Sequence, residues 1–415
     1  MAELLPVEEA QSQILSEFSA LPTEQVPVER SQDHVLAVDI ISPLDLPAYP
    51  FSSMDGFAIK AGETTSATRN QPVKLKVVME IPAGISPEKS IHSGEAARIM
   101  TGAVLPAGAD AVIPIEETDA LPNQSEVATG KEVTVFSPAR TGDYIRPIGQ
   151  DIRKGELVLK KGRRLLPQDM GVLVTLGFAA VEVYRTPRVA LLSTGDELCP
   201  PGEPLGPGQI YDTNSIFLAA LTERAACQVV RLGIARDDPQ VIRAALDQAY
   251  AEQVDLIVST AGVSVGAHDY VRSVIESNGS IKFWRVNMRP GKPIAFGRYR
   301  DIPVIGLAGN PVSAFVGFLV FIQPVLQKLS GTATAFPHLV QAVTAHPIES
   351  DGRQSYLRAV ITPKDNGYQA VLTGHQGSGN LYSLVQANAL LIVPPGVKSL
   401  PAGVTLTAWL LDDYR

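Results

Sequence analysis

"QVVRLGIARDDPQVIRAALDQAYAEQVDLIVSTAG", Gln228 to Gly262, decides the fold. It opens and closes on runs of β-branched and aliphatic residues, and "PQVIRAALDQAYA" between them reads as a helix. The same alternation starts upstream with "RVALLST" and "SIFLAALTERAA", so the chain from Arg188 onward is a βαβ series. Its strands are apolar almost without interruption, which predicts a mostly parallel sheet covered by helices on both faces. Ligands of such sheets gather outside the carboxyl ends of the strands. "STGDEL", "ARDDP" and "STAGVSVGAHDY" all fall there.

Outward from this core the character changes. Val7, Ala10, Ile14 and Phe18 recur at helical spacing after Pro6, which predicts an amphipathic first helix. From about residue 35 to about 165, runs such as "VKLKVVMEI" and "KEVTVF" between Gly, Pro and Asn clusters predict strands in small sheets. After about residue 332 the helical spacing ends, and "YLRAVITP", "YQAVLTG" and "ALLIVPP" predict a small all-β unit. The expected fold class is α/β multidomain: a central doubly wound sheet with β-rich additions.

At 415 residues the chain exceeds one compact core. Its net charge of −8 disfavours nucleic acid and anionic membrane as partners, so any anionic ligand needs a local basic cluster. The two cysteines, Cys199 and Cys227, form neither a metal-ligand spacing nor a disulfide framework. With no basic leader ahead of an apolar core at the start, the expected location is the cytoplasm. Ile302 to Gln327 is uncharged and long enough to span a bilayer, but its glycines and prolines read as strand, tight loop and helix.

Carboxylates cluster at the predicted strand ends: Asp196 and Glu197, Asp237 and Asp238, and Asp269. Two readings stand. Converging carboxylates repel unless a hard cation joins them, and Mg²⁺ takes one or two carboxylates with phosphate oxygens; alternatively each caps a helix, as Asp237 or Asp238 before Pro239 could. Ser277 to Arg300 holds Lys282, Arg285, Arg289, Lys292, Arg298 and Arg300 without an acidic residue, either an anion site or a solvated strand face. The Pro-Gly turn of "RPGKP" fixes Arg289 and Lys292 on a rigid bend and favours the anion site. In "GLAGNPVSAF", Asn310 is a good N-cap for a helix running to about Leu329, whose start could seat an oxyanion. Gly262 and Gly266 permit close backbone approach to a ligand. Asp55 before Gly56 and Thr101 before Gly102 read locally as ordinary turns.

"SSMDGFA", "RIMTGAVLPAGADAVIPIEE", "IRPIGQDIRKGE", "LLSTGDEL", "IYDTNS", "GVSVGAHDY", "FWRVNMRPGKPIAFG" and "GLAGNPVSAF" together, and in this order, resemble the molybdopterin molybdenumtransferase family, which includes the E domain of gephyrin. The resemblance spans nearly the whole chain. It implies the last step of molybdenum cofactor synthesis: molybdenum from molybdate enters adenylylated molybdopterin, and AMP leaves with Mg²⁺ assistance. It implies an elongated homodimer in which Asp55 and Thr101 serve the partner's cleft, and molybdopterin adenylyltransferase as a donor of substrate. The implied division is an N-terminal helix (1–30) packing with the central region, a linking domain (31–50 and 147–185), a β-rich domain (51–146), a central α/β domain (186–331) and a C-terminal barrel-like domain (332–415).

By motif, the resemblance marks Asp55, Thr101, Glu197, Asp237 and Asp269 as catalytic, with Asp237 and Asp269 as Mg²⁺ ligands. It marks Arg146, Asp151, Thr194, Gly262, Ser264, Gly266 and Asn310 for substrate, and Arg289, Lys292, Arg358 and Ser378 for molybdate. His268 is read as incidental. Three positions depart from the family pattern: Ala261 stands where a second glycine is frequent, Ala308 where proline is, and Arg285 where lysine occurs. The alternative function is a non-catalytic molybdopterin-binding or scaffold protein on the same fold, which the retained acidic set disfavours. A P-loop hydrolase is disfavoured because no "GxxxxGK[ST]" is present.

Overall fold

Along Arg188–Thr194 the side chains alternate: Val189 and Leu191 enter one buried cluster, Ala190 and Leu192 another. A strand buried on both faces must lie inside a sheet covered by helices. The computed structural model, which describes residues 4–120, 129–261, 270–333, 337–364 and 367–411 apart from the side chains of Phe283 and Trp284, has that arrangement. It divides the chain into two units, one of Met1–Val38, Lys161–Met170 and Ala179–Arg415, the other of Asp39–Lys160 and Gly171–Phe178.

In the first unit a six-stranded sheet runs Gln228–Ala235, Arg188–Thr194, Leu256–Thr260, Ile302–Leu307, Pro293–Tyr299, Gly279–Arg285. The first four strands are parallel and the last two antiparallel. One face packs Val258, Ile305 and Leu307 on helices Val7–Ser16 and Thr213–Arg224 and on the helical stretch Pro311–Ser330. The other face packs Ile257 and Val304 on helices Pro239–Ala251 and Tyr270–Asn278. Each large aliphatic side chain so removed from water contributes roughly 1.5–3 kcal/mol. Pro311–Ser330 is long and apolar enough to cross a membrane, yet 78% of its most apolar window is buried inside the protein. It is therefore the core helix that the strand-loop-helix reading predicts.

The same unit contains a closed five-stranded barrel, Gln354–Lys364, Gly367–Leu372, Leu339–Thr344, Thr405–Leu410 and Ala389–Val393, the last pairing back onto the first. It is not purely β, since Tyr382–Gln386 forms a short helix ahead of the closing strand. Met288–Arg289 pairs with Gln354 and Ser355 at the barrel's edge, while Pro293 begins a strand of the central sheet. The "RPGKP" turn is thereby anchored at both ends.

The second unit is built on a five-stranded sheet in the order Ala111–Pro114, Gly56–Ile59, Glu95–Ile99, Val73–Ile81, Glu132–Val135. Phe57, Ala96 and Ile113 face one apolar cluster, and Ala58, Ala97 and Val112 the other. Gly56 is sterically required, because a Cβ there would lie 1.9 Å from the Ile113 carbonyl oxygen.

Candidate active site

At the carboxyl ends of the parallel strands, the two readings of the acidic residues separate. Asp238 is the helix cap: its Oδ1 accepts from the backbone N–H of Gln240 at 2.6 Å, and Pro239 follows at the first helical position. That leaves Asp237 outside the capping role. Its N–H donates to Asp196 Oδ1 at 3.3 Å, which brings two acidic residues from neighbouring strand ends to one edge. Asp196 also lines an open cavity of about 470 Å³ with Gly195, Leu198, Gln209, Ile234 and Arg236. Glu197 folds back beside Gly195, where an added Cβ would meet its Oε2 at 2.5 Å.

Among the described residues no group of three or more His, Cys, Asp or Glu side chains could hold a metal ion. The contact at this edge is Asp237 N–H on the Asp196 carboxylate, and carboxylate is the donor type that Mg²⁺ takes beside phosphate oxygens. Asp269 and His268, with Gly262, Ser264 and Gly266, lie outside the described residues. Thr194, expected to touch substrate, is buried with its hydroxyl donating to the Thr260 carbonyl at 3.4 Å. It ties the ends of two neighbouring parallel strands together.

A second cavity, of about 330 Å³, carries Arg289, Lys292 and Arg353 in its lining together with Asn310, Gln376 and Ser378, and no carboxylate. Arg353 pairs with Asp351 behind this wall, and the lining charge of Arg289 and Lys292 is of the type that suits a small oxyanion. Ser378 is fixed there by Asn310, whose Nδ2 donates to its Oγ at 3.0 Å, and by Val312 N–H, which donates to its carbonyl at 3.0 Å. Asn310 occupies the N-cap position without a side-chain capping bond, and its amide nitrogen donates to Ser378. Ala308 lines the same cavity.

Arg358, expected to meet molybdate, lies deeper. It is fully buried and absent from the cavity lining; Nε donates to Ser383 Oγ at 2.9 Å and Nη2 to the Gly377 carbonyl at 2.9 Å. It holds the loop that presents Ser378 from beneath. Burial, and then the charge of Arg289, push its pKa down to about 10. The basic stretch also divides. Lys282 and Arg298 pair with Glu17, and Arg300 pairs with Asp247 and stacks on Tyr250, its Cζ 4.4 Å from the ring centre. These three are held in ion pairs, whereas Arg289 and Lys292 line the basic cavity and Arg285 does not.

In the second unit Asp55 and Thr101, 46 residues apart, meet: Asp55 Oδ1 accepts from Thr101 N–H at 2.6 Å and from Thr101 Oγ1 at 2.8 Å. Those bonds, and then the charge of Arg98, hold the Asp55 carboxyl below the usual aspartate range against partial desolvation. Arg146 and Asp151, both expected to meet substrate, are exposed and pair with each other.

Sequence reasoning missed three contributors. Arg353 lines the basic cavity and donates to the Met288 carbonyl at 3.0 Å, but nothing local marks it. Asp212 and Asn214, inside the quoted "IYDTNS", carry a recognisable capping signal. Asp212 caps Thr213–Arg224, and Asn214 Nδ2 donates to the Gly309 carbonyl at 2.6 Å, tying that helix to the loop ahead of Pro311.

Three family models match in succession: the MoeA N-terminal region (domains I and II) over residues 5–177, a probable molybdopterin binding domain over 190–328, and the MoeA C-terminal region (domain IV) over 341–411. The chain is similar to molybdopterin molybdenumtransferase 2 of Mycobacterium tuberculosis, 37% identical over 97% of this chain and 98% of that protein. It is also similar to the molybdopterin molybdenumtransferase of Haemophilus influenzae, 35% identical over 97% of this chain and 98% of that one. Among solved structures, a molybdopterin biosynthesis MoeA protein from Pyrococcus horikosii superposes with a TM-score of 0.81 at 33% identity, covering 99% of this chain and 100% of its own. The eight ordered motifs, the central sheet with its barrel, and end-to-end similarity agree: the chain belongs to the molybdopterin molybdenumtransferase family, transferases of molybdenum cofactor biosynthesis.

Proposed function

We propose that the protein inserts molybdenum from molybdate into adenylylated molybdopterin and releases AMP with the help of Mg²⁺. The observation that carries this reading is the carboxylate-free cavity of Arg289, Lys292, Arg353 and Ser378. Molybdate is a tetrahedral dianion, and two or three cations with a hydroxyl donor match its charge and its acceptors. In the reading, Arg289 and Lys292 bind and orient molybdate, and Ser378, held by Asn310, donates to one of its oxygens. Arg353, braced by Asp351, adds charge at the wall.

The adenylylated pterin occupies the strand-end edge, with its phosphates near Asp196, Asp237 and Glu197. Asp237 and Asp269 would hold Mg²⁺, which when bound supplies positive charge to the phosphoanhydride. Glu197 orients the substrate or a water. The P–O–P bridge breaks as one phosphorus gains an oxygen from water or molybdate and the other keeps the bridging oxygen. Water gives AMP and the pterin phosphate directly, while a molybdate–phosphate ester is hydrolysed to the same products. Two dithiolene thiols then replace two oxygens on molybdenum, which leave as water. Asp55 and Thr101 serve the cleft of a partner copy, and Arg146 and Asp151 act as a pair in contact with substrate. The five-part domain division, the homodimer, the cytoplasmic location and substrate delivery by molybdopterin adenylyltransferase belong to the same proposal.

The test is AMP release from adenylylated molybdopterin by the purified protein, with molybdate and Mg²⁺ each omitted in turn. Release that depends on both supports the reading, and release indifferent to molybdate removes it.

A further inference from the structure

Arg98 stands on the apolar face of a strand. In Glu95–Ile99, Ala97 and Ile99 face one buried cluster and Ala96 the other, and Arg98 shares the second face with Ala96. Its side chain is 6% exposed. Strand register sets Phe57 directly opposite it on one side and Glu80 on the other. The guanidinium carbon lies 5.8 Å from the centre of the Phe57 ring, and the nearest carboxylate contact is Nε to Glu80 Oε1 at 3.9 Å. Nε and Nη1 are buried without a hydrogen-bond partner among the described residues. A buried cation so poorly paired is costly in stability, and such groups persist where function uses the charge.

Asp55 immediately precedes Gly56, where the paired strand begins, and lies two residues before Phe57, the residue opposite Arg98. Thr101, which donates to Asp55 twice, follows Arg98 by three residues on the same segment. We propose that Arg98 is a positioning residue for Asp55: it supplies, from beneath the sheet surface, the fixed positive charge that holds the Asp55 carboxylate turned onto Thr101. The inference rests on the reading of Asp55 as a site residue. The charge of Arg98 lowers the Asp55 pKa, behind the two Thr101 bonds. The other charged group on this face is Glu80, from Val73–Ile81; Ala111–Pro114 carries none, and Glu95 alternates to the opposite face.

The experiment follows Asp55 directly. Full-length protein carrying ¹³C-labelled aspartate is titrated by NMR, with the Asp55 signal assigned by its loss in Asp55→Asn. In Arg98→Met the Asp55 midpoint should rise, and Arg98→Lys should restore it. The acid limb of the kcat/KM profile should move by the same amount. Glu80→Gln, a half-exposed substitution that tests the coupling should Arg98→Met not fold, should lower the midpoint. An unmoved Asp55 midpoint in folded Arg98→Met, or in Glu80→Gln, would overturn the inference. Because the NMR midpoint does not depend on turnover, full activity in Asp55→Asn would instead remove the reading of Asp55 as a site residue, and with it the role assigned to Arg98.

Discussion

One oxygen of Asp55, Oδ1, accepts both donors of Thr101, the backbone N–H at 2.6 Å and the hydroxyl at 2.8 Å. Two turns that look unremarkable in the sequence are thereby one unit, fixed by Gly56, whose lack of a side chain lets its backbone lie against Ile113. Asp55→Asn should lower kcat at least about 100-fold, the range for loss of a charged group acting at a reacting centre. Its thermal midpoint should fall modestly, because asparagine keeps an acceptor for Thr101 but loses the carboxylate charge that the fold favours.

The same pair has a pH signature. Native Asp55 titrates below its unfolded value, so its contribution to stability is present above the unfolded value and is lost as pH falls through the lowered native one. Thr101→Val removes the hydroxyl donor and keeps the N–H. The Asp55 midpoint should rise in that variant, as read by carboxyl NMR, and an unchanged midpoint would discount the hydroxyl.

The divided basic stretch predicts divided phenotypes. Arg289→Gln and Lys292→Gln should each weaken molybdate binding at least about 10-fold by calorimetry, since charged hydrogen bonds are worth roughly 1.5–3 kcal/mol. Lys282→Gln and Arg298→Gln should leave that affinity alone, because both pair with Glu17 beside the first helix.

Arg358 should reveal itself through stability. Ser383→Ala deprives a fully buried guanidinium of the acceptor for Nε and should cost about 1–3 kcal/mol in thermal or denaturant unfolding. Molybdate affinity should change less than in Lys292→Gln.

Ala261 has φ +65°, a left-handed conformation that is strained for alanine and free for glycine. Ala261→Gly should therefore stabilise the protein by about 0.5–1 kcal/mol after the added unfolded-state entropy is counted. Restoring the glycine frequent in the family should not lower turnover.

Where local pattern governs structure, the sequence is readable. "VKLKVVMEI" is the strand Val73–Ile81, and "PQVIRAALDQAYA" is the helix Pro239–Ala251, because burial on a strand or helix face writes its period into the residues. Pairings across the chain are not readable in this way. Lys282 and Arg298 are 265 and 281 residues from Glu17, so their charge looks free until the first helix docks. Arg358 and Arg98 sit in strands, and no local pattern distinguishes a buried arginine from a cavity-facing one. The choice between Asp237 and Asp238 as cap turns on one residue's backbone geometry at Pro239. The anion cavity was half legible: "RPGKP" and "GNP" marked Arg289, Lys292 and Asn310, while Arg353 needed the fold.

The most direct measurement counts molybdenum against AMP. Wild-type protein supplied with adenylylated molybdopterin, Mg²⁺ and molybdate should release AMP and yield molybdenum-bearing pterin in about equal amounts, by mass spectrometry of the product. Folded Arg289→Gln/Lys292→Gln should yield neither. AMP release without molybdenum in the wild-type product, or full incorporation by the double variant, would contradict the account.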